Sequence, residues 1–548
     1  MIFPAAFGFS CWILLPRFSF IYAIVNGLWC VVFVEWWKRQ EFELAFRWGV
    51  RGVSAIEDKR REFQYEKVVY DPISGEKTLY FPATKRLYRQ LLQIPFALLA
   101  SLALGSLIAT CFAIEIFISE VYNGPLKSIL NFLPTILLTI LVPTISTFLT
   151  GLATRLTDFE NYPTQDSYDQ AMVSKLFVLN FITSYLGICL IAFVYLPFAA
   201  ILVPYLDVFS LILKAFATDD KQVQTPHPAN FAINPDRLRN QVIYFSVTAQ
   251  IVNFALETVM PLVMQKGTAK YKEMQASRAE KNGGAPPPPS ANDPPEEKEF
   301  LNRVREEAAL PEYDVQTDLR EMVIQFGYLS LFSVVWPIMP VCFFINNWVE
   351  LRGDIFKLTK ECKHPTPQRA DSIGPWLDSL GFLAWLGSLT SAAVVYMFSN
   401  DGLGPDGRPS HIKPWALLLT LFFSEHLYMV VRLGVRTVIG KLDSENRRRE
   451  RAERFMVRKR YLEDDGLGSV VSPGLTSPPM TPLVGEKPML DPITRQSLEE
   501  DTRESSMHDS TPSSRFWNRQ KGWAETEKVG LSLIDMMTDG GNETKKTM

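Results

Sequence analysis

Long stretches without a charged side chain constrain this chain more than any other feature of its sequence. About 20 consecutive apolar residues are needed to cross the hydrocarbon core of a bilayer as a helix. The charges are gathered between the stretches, as in membrane proteins, and are not spread along one face of each element, as in soluble domains. The sequence therefore predicts an all-α polytopic membrane protein. Six stretches lack Asp, Glu, Lys and Arg altogether: 18–34, 91–114, 128–154, 176–206, 322–349 and 379–400.

Three further segments extend this set. The segment 240–265 is interrupted only by Glu257, and the segment 414–431 only by Glu425 and His426. Residues 1–16 are apolar but short, and they lack the basic leader and the small-residue cleavage site of a signal peptide. We interpret them as part of an incomplete first helix.

The stretch 322–349 is expected to form two helices. Pro337 and Pro340 lie in its middle, and proline disrupts a helix interior. The following segment, 352–373, carries five Lys and Arg residues, which favours placing both ends of the stretch on the same side of the membrane. A helical hairpin over 315–360 satisfies both observations and gives about ten transmembrane helices in all.

Lysine and arginine residues mark the loops that are expected in the cytosol. Twelve of them fall in 35–90 and nine in 266–320, and the run 441–460 is basic as well, so we expect a cytosolic C-terminus. The loops expected on the other side hold few: one in 115–127, four in 207–239 and two in 401–413.

These boundaries divide the chain into seven segments. The Pro-rich part of the second basic loop and most of the C-terminal tail have the composition of disordered chain. The segments are 1–34 (partial first and second transmembrane helices), 35–90 (cytosolic loop), 91–265 (helices three to six), 266–314 (cytosolic loop), 315–360 (hairpin of helices seven and eight), 361–440 (helices nine and ten) and 441–548 (basic, then disordered tail).

Acidic side chains inside predicted membrane helices indicate a functional role, because inserting each one into the bilayer costs about 2.5–3.5 kcal/mol on insertion scales. Three pairs have the i, i+3 or i, i+4 spacing that places side chains on one helix face. On one straight helix Glu321 and Glu350 would lie about 43 Å apart, whereas the hairpin brings them side by side. The pairs are Asn253 with Glu257, Asp318 with Glu321, and Glu350 with Asp354.

Five carboxylates that converge in a region of low dielectric constant repel one another unless cations lie between them. The pairs offer oxygen atoms and neither His nor Cys, and such hard ligands favour Ca²⁺. The sequence thus predicts a site for one or two Ca²⁺ ions that draws the helices together when it is filled. The alternative is that each pair caps a helix end or faces water at the membrane interface.

Uncharged polar residues on the fourth and sixth predicted helices suggest a furrow that lipid head groups could follow through the membrane. Two arginines at the outer end of the sixth helix could attract phosphate. The alternative is that the hydroxyl groups bond the i−4 carbonyl or pack between helices. The candidates are Thr135, Thr139, Thr147 and Thr150 on the fourth helix, and Asn240, Tyr244, Thr248, Arg237 and Arg239 on the sixth.

Several ordered motifs carry a family resemblance: FVEWWKRQEFELAFRWG (33–49), LTDFENYPTQDSYDQAMVSKLFVLNFITSYL (156–186), EMVIQFGYLSLF (321–332), NNWVELRGDIFKL (346–358), RADSIGPW (369–376) and SEHLYMVVR (424–432). With them the chain resembles the anoctamins, a family of Ca²⁺-activated chloride channels and phospholipid scramblases, and in particular the fungal scramblase-like members. The resemblance covers roughly residues 1–440.

The resemblance implies a dimer of ten-helix subunits, each with a membrane-facing groove built from helices three to seven. It also implies two Ca²⁺ ions per subunit, and that this chain is N-terminally truncated, because family members carry a cytosolic domain and a complete first helix before the position of Met1. The Ca²⁺ ligands that it implies are Glu257, Asp318, Glu321, Glu350 and Asp354, with Asn253 as a neighbour.

The function favoured by these observations is Ca²⁺-activated phospholipid scrambling with poorly selective ion conduction. A selective anion pore would present several buried Lys or Arg residues, and the apolar stretches of helices three to six contain none. A Ca²⁺-activated anion channel is one alternative, and a membrane-contact tether acting through the basic tail is another. An enzyme is not expected, because the sequence has no phosphate-binding Gly-rich loop and no GxSxG motif.

The expected partners are membrane lipids and a second copy of the chain in a homodimer. Anionic lipid could bind the basic run 447–460. The net charge of −3 argues against a nucleic-acid partner. The expected location is the plasma membrane or the endoplasmic reticulum.

Overall fold

The computed structural model describes residues 1–53, 60–70, 77–118, 130, 133–198, 236–256, 274, 297–363, 370–398, 413–442 and 445–464. Six helices among them are long and apolar enough to cross a bilayer: Phe20–Arg47, Ala83–Ile116, Leu133–Glu160, Gln165–Phe198, Pro375–Phe398 and Pro414–Lys441. The protein is thus an all-α polytopic membrane protein, as the sequence predicts. Most of the Pro-rich loop and of the tail, both expected to be disordered, lies outside the described residues.

The helices follow one another along the chain with few other elements. They are α1 (Ile2–Leu14), α2 (Phe20–Arg47), α3 (Ala83–Gln90), α4 (Gln93–Ile116), α5 (Leu133–Glu160), α6 (Gln165–Leu190), α7 (Asp236–Ile243), α8 (Ala249–Phe254), α9 (Lys298–Ala308), α10 (Val315–Phe332), α11 (Met339–Phe356), α12 (Pro375–Phe398), α13 (Pro414–Lys441) and α14 (Glu445–Asp464).

Short π-helical turns extend or join several of these helices. Ile191–Tyr195 continues α6, Tyr244–Thr248 joins α7 to α8, and Lys357–Glu361 follows α11. A π-helical turn widens the backbone hydrogen-bond ring and often marks a functional site. Nothing in the sequence had indicated these turns.

The predicted loop 35–90 contains structure that the sequence analysis did not anticipate. Strands β1 (Lys67–Tyr70) and β2 (Lys77–Tyr80) form an antiparallel pair in which Lys67 faces Tyr80 and Tyr70 faces Lys77. Valine, threonine and tyrosine favour strands, but four-residue strands are too short to stand out beside the apolar helices.

Helix α10 ends at Phe332, and α11 begins at Met339. The residues between them form turns. Pro337 lies in these turns and Pro340 in the first turn of α11, where the absent N–H of proline has no helical partner to lose. The two helices are therefore separate elements joined by a short connection.

The core around α10 belongs to one of two compact units, which comprises Met1–Thr258, Asp314–Asp354 and Thr366–Ala452. Phe326, Leu329 and Phe332 of α10 are almost fully buried in it. Helix α12 packs closely on α10, and the hydroxyl group of Ser391 donates to the Ser330 carbonyl at 3.3 Å. Small residues at this contact let the two backbones approach.

The other unit comprises Val259–Tyr313, Ile355–Pro365 and Glu453–Met548. In its described part the backbone N–H of Lys363 donates to the Pro311 carbonyl at 2.9 Å. The Lys357 ammonium lies over the Tyr313 ring, 5.7 Å from its centroid. These contacts tie the π-helical turn after α11 to the segment that follows α9.

Candidate functional site

The first turn of α10 is fixed on both sides. The Asp314 carboxylate caps the helix by accepting from the Gln316 backbone N–H at 3.0 Å. The Trp376 indole N–H, buried at the start of α12, donates to Gln316 Oε1 at 2.7 Å. Asp318 and Glu321 follow within the next two turns, so the positions of these candidate ligands are set by the cap and by α12.

Glu350 on α11 is held among polar groups from both helices of the hairpin. Its Oε2 accepts from Asn346 Nδ2 at 3.0 Å and from Gln325 Nε2 at 3.2 Å. The Glu321 carboxyl lies within hydrogen-bonding reach of it, and Asp354 is close enough to act on its charge. The structure therefore brings together acidic residues that are far apart in the sequence.

The other predicted ligands are less closely gathered. Glu257 lies outside the described residues, and the side chain of Asn253 on α8 is exposed. Asp318 is half-buried one turn before Glu321. No group of three or more acidic, histidine or cysteine side chains that could hold a metal occurs in the part of the chain that the structure describes.

The donor set nevertheless fits a hard divalent cation. The side chains around Glu350 present carboxylate and amide oxygens, which are the ligands that Ca²⁺ takes. Gln325 is 2% exposed, and its Oε1 has no hydrogen-bond partner although it is buried. A buried carbonyl oxygen without a partner beside paired carboxylates is an arrangement that a bound cation would stabilise.

Sequence reasoning missed the amide residues of this site. Gln325 lies four residues after Glu321, and Asn346 four residues before Glu350, so each shares a helix face with a candidate ligand. Gln250 on α8 completes the group, since its Oε1 accepts from Gln325 Nε2 at 3.5 Å. The same i, i+4 spacing that singled out the acids would have found the first two.

The segment formed by α7 and the π-helical turn Tyr244–Thr248 has one exposed face and one buried face. The predicted groove residues Asn240, Tyr244 and Thr248 are exposed, at i, i+4 steps. Leu238, Val242 and Ser246 form the buried face and are at most 2% exposed. In a membrane protein the first face offers polar groups at the protein surface, as the furrow interpretation requires.

The threonines of α5 are exposed at positions 135, 139 and 147, and Thr150 is half-buried. The hydroxyl group of Thr139 donates to the Thr135 carbonyl at 2.7 Å, and that of Thr147 to the Pro143 carbonyl at 2.8 Å. In the sequence analysis, such bonds to the i−4 carbonyl are the alternative to a lipid-binding role for these hydroxyl groups. A hydroxyl oxygen that donates to its own helix can still accept a bond from a lipid head group.

The two arginines predicted at the outer end of the sixth helix, Arg237 and Arg239, have different surroundings. Arg237 Nη2 lies 2.6 Å from Glu115 Oε1, and its guanidinium stacks over the rings of Phe112 and Tyr195. Its side chain is 12% exposed, so its charge is balanced by a carboxylate and partly covered. Arg239 is half-buried and makes no ion pair within the described residues.

A protein-family model described as "Anoctamin: Calcium-activated chloride channel" matches residues 1–454. An uncharacterised protein of Schizosaccharomyces pombe is 30% identical over 425 residues, which cover 77% of this chain and 61% of that protein. "Increased sodium tolerance protein 2" of Saccharomyces cerevisiae is 26% identical over 59% of this chain and 36% of its own length. "Anoctamin-10" of Homo sapiens is 23% identical over 75% of this chain and 55% of its own length. The chain thus spans less than two thirds of each of these relatives.

Proposed function

Because this chain belongs to the anoctamin family, we propose that it is a Ca²⁺-activated phospholipid scramblase that also conducts ions with little selectivity. Activation would take place at the hairpin of α10 and α11, and lipid would cross along the exposed polar faces of α5 and α7. The proposal places both activities in one subunit.

The residues that would hold Ca²⁺ are Glu321, Glu350 and Asp354, together with Asp318 and Glu257, with Asn253 of α8 as a neighbour. Two ions per subunit would bring four positive charges to five carboxylates. When bound, Ca²⁺ supplies positive charge that removes the repulsion between these side chains. The carboxylates then favour a closer arrangement of their helices, and this differential interaction is what a ligand-driven switch requires.

The observation that carries the scrambling proposal is the exposed polar face formed by Asn240, Tyr244 and Thr248. A charged head group at the bilayer centre is costly, and polar side chains that face lipid lower this cost while the acyl chains stay in hydrocarbon. The exposed threonines of α5 would supply further hydrogen-bonding groups. No fixed charge is needed for this role.

A Ca²⁺-activated anion channel is the second candidate, and Arg239 is the observation that favours it. Its charge is not balanced by a described carboxylate, so it could attract an anion. The paired state of Arg237 weighs against a strongly basic pore, since the Glu115 carboxylate balances its charge. We therefore place anion conduction second.

The proposed setting is a multi-pass homodimer in the plasma membrane or the endoplasmic reticulum, with a cytosolic C-terminus. Helix α13 exposes several large apolar side chains, which suit contact with lipid or with a second copy of the chain: Leu418, Phe422, Phe423, Val430 and Leu433. Anionic lipid would bind the basic residues of α14.

The test is lipid scrambling in liposomes that contain the purified protein and a fluorescent phospholipid. Membrane-impermeant reductant is added with and without Ca²⁺, and ion flux is measured in the same preparation. The proposal predicts Ca²⁺-dependent loss of fluorescence beyond the outer-leaflet half. A protein-free liposome and one that holds an unrelated membrane protein serve as controls.

Ca²⁺-dependent ion flux without scrambling would contradict the proposal and favour the channel. Absence of both activities in folded protein would contradict both, and would leave a membrane tether that acts through residues 441–548 as the leading function. Scrambling that does not respond to Ca²⁺ would contradict the metal-site part alone.

A further inference from the structure

A chain of side-chain hydrogen bonds leads from Glu350 to the backbone of the π-helical turn between α7 and α8. Gln325 Nε2 donates to Glu350 Oε2 at 3.2 Å and to Gln250 Oε1 at 3.5 Å. Gln250 Nε2 then donates to the Phe245 carbonyl at 3.4 Å. Phe245 belongs to the π-helical turn Tyr244–Thr248. Two amides therefore connect a candidate Ca²⁺ ligand to the helix that carries the polar face.

The bonds of this chain are long, and two of them are near the limit for a hydrogen bond. The central residue, Gln325, is nevertheless 2% exposed and cannot satisfy its amide with bulk water. Buried polar networks matter most when they are incompletely satisfied. The Oε1 atom of Gln325 has no partner, so its amide has a reason to rearrange if its surroundings change.

Aromatic packing connects the same two helices one turn further along. The ring of Phe245 stacks on that of Tyr328, with centroids 5.5 Å apart. Tyr328 is three residues after Gln325 on α10. A rearrangement of Gln250 would therefore act on a turn that already packs on α10 and that contains the exposed Tyr244.

We propose that the Gln325–Gln250 amide pair couples occupancy of the carboxylate site to the position of the π-helical turn, with Gln325 as a positioning residue. The inference rests on the proposed function, because it needs Glu350 to be a Ca²⁺ ligand. The pair itself does not touch the transported lipid.

The coupling follows from competition for one oxygen atom. Glu350 Oε2 accepts from Gln325 in the structure. If Glu350 held a cation, its carboxylate would be a poorer acceptor for an N–H group, and the Gln325 amide would be free to turn its unpartnered Oε1 toward the positive charge. The bond to Gln250 Oε1 changes with it, and Gln250 transmits the change to the Phe245 carbonyl.

The test is hydrogen–deuterium exchange of the purified protein with and without saturating Ca²⁺. Peptides covering 340–356 report the carboxylate site, and peptides covering 244–256 report the π-helical turn and α8. In the wild type we expect Ca²⁺ to change exchange in both, by about fivefold or more, the lower end of typical coupling between sites. In Gln250→Met, which breaks the link at a residue without a described hydrogen bond to Glu350, we expect the change at 340–356 to persist and the change at 244–256 to disappear.

Gln325→Met removes the same link at the residue that contacts Glu350 and is the second variant, in case Gln250→Met does not fold. For this variant Ca²⁺ is raised until the change at 340–356 is complete. The double variant should lose no more than either single one, because both remove one connection. Gln241→Met is the matched control: Gln241 lies on α7, and its side chain makes no hydrogen bond within the described residues. It should behave as the wild type.

Retention of the Ca²⁺ effect at 244–256 in both single variants would overturn the proposal. Loss of the effect at 340–356 as well, at saturating Ca²⁺, would also overturn it, because the amides would then serve only to build the site. A wild type in which 340–356 does not respond to Ca²⁺ would instead overturn the metal site itself, and the coupling with it. The three failures are distinguished by which peptide changes in which protein.

Discussion

Gly327 lies where α10 meets Tyr185 of α6. The Tyr185 hydroxyl donates to the Ile324 carbonyl at 2.9 Å, one turn before the glycine. A Cβ atom at position 327 would overlap that hydroxyl group. The glycine therefore allows a tyrosine to bond the backbone of the helix that carries Asp318 and Glu321.

We expect Gly327→Ala to destabilise the protein by about 1–3 kcal/mol, the usual cost of overfilling a packed interior. Thermal unfolding in detergent measures it. Tyr185→Leu in the same chain should recover part of the loss, because it removes both the hydroxyl group and the ring carbons that the new methyl group would overlap. Gly187→Ala is the control, since a Cβ there meets nothing within 4 Å. Equal stability of Gly327→Ala and the wild type would refute this account of the contact.

Single residues differ in how well the sequence reveals them. A carboxylate within or at the edge of an apolar stretch is conspicuous because it is costly to insert, which is why Glu321 and Glu350 could be singled out as candidate ligands from their spacing. Gln325 and Gln250 are neutral, so the same stretches tolerate them at lower cost. Their importance depends on which partners the fold brings to them, and the sequence does not show that.

At the scale of elements, a buried ion pair joins α5 to α6. Lys175 Nζ lies 2.8 Å from Glu160 Oε2, and the two side chains are 3% and 0% exposed. Gln93 Nε2 of α4 donates to the same oxygen at 3.1 Å. Burial, with the neighbouring Glu160 carboxylate, raises the pKa of Tyr162 to about 12, so the phenol beside the pair stays protonated.

Lys175→Met should destabilise the protein strongly, by about 3–5 kcal/mol, because it leaves a buried carboxylate without its counter-charge. The double variant with Glu160→Gln should recover much of this loss, and the melting temperatures of the three proteins measure both effects. The exposed pair Arg303–Glu307 provides the control, and Arg303→Met should change stability by less than about 1 kcal/mol. If Lys175→Met were as stable as Arg303→Met, the interpretation of Lys175–Glu160 as a stabilising buried ion pair would be wrong.

Elements were predictable where one strong signal dominates. Long apolar stretches marked the membrane helices, because a helix satisfies all its backbone hydrogen bonds in lipid within one segment. The hairpin β1–β2 and the π-helical turns had no comparable signal. The turn at Tyr244–Thr248 is maintained by contacts with Gln250 and Tyr328, and such tertiary contacts cannot be read from helix periodicity.

At the scale of the whole molecule, every described candidate site residue falls before α12. The family model also ends at residue 454, within α14. We therefore expect a chain truncated after Asp464 to retain Ca²⁺-activated scrambling, with initial rates within about twofold of the full chain. The liposome assay measures this. Loss of activity in truncated protein that is folded and inserted would show that the tail belongs to the machinery.

The central claim is that carboxylates on α10 and α11 make scrambling depend on Ca²⁺. The most direct measurement is the scrambling rate against Ca²⁺ concentration for the wild type and for the double variant Glu350→Gln, Asp354→Asn. Two neutral amides keep the size of the side chains but remove the charge that attracts the cation. We expect activation to be abolished, or shifted to about 100-fold higher Ca²⁺. An unchanged Ca²⁺ dependence in the folded variant would contradict it.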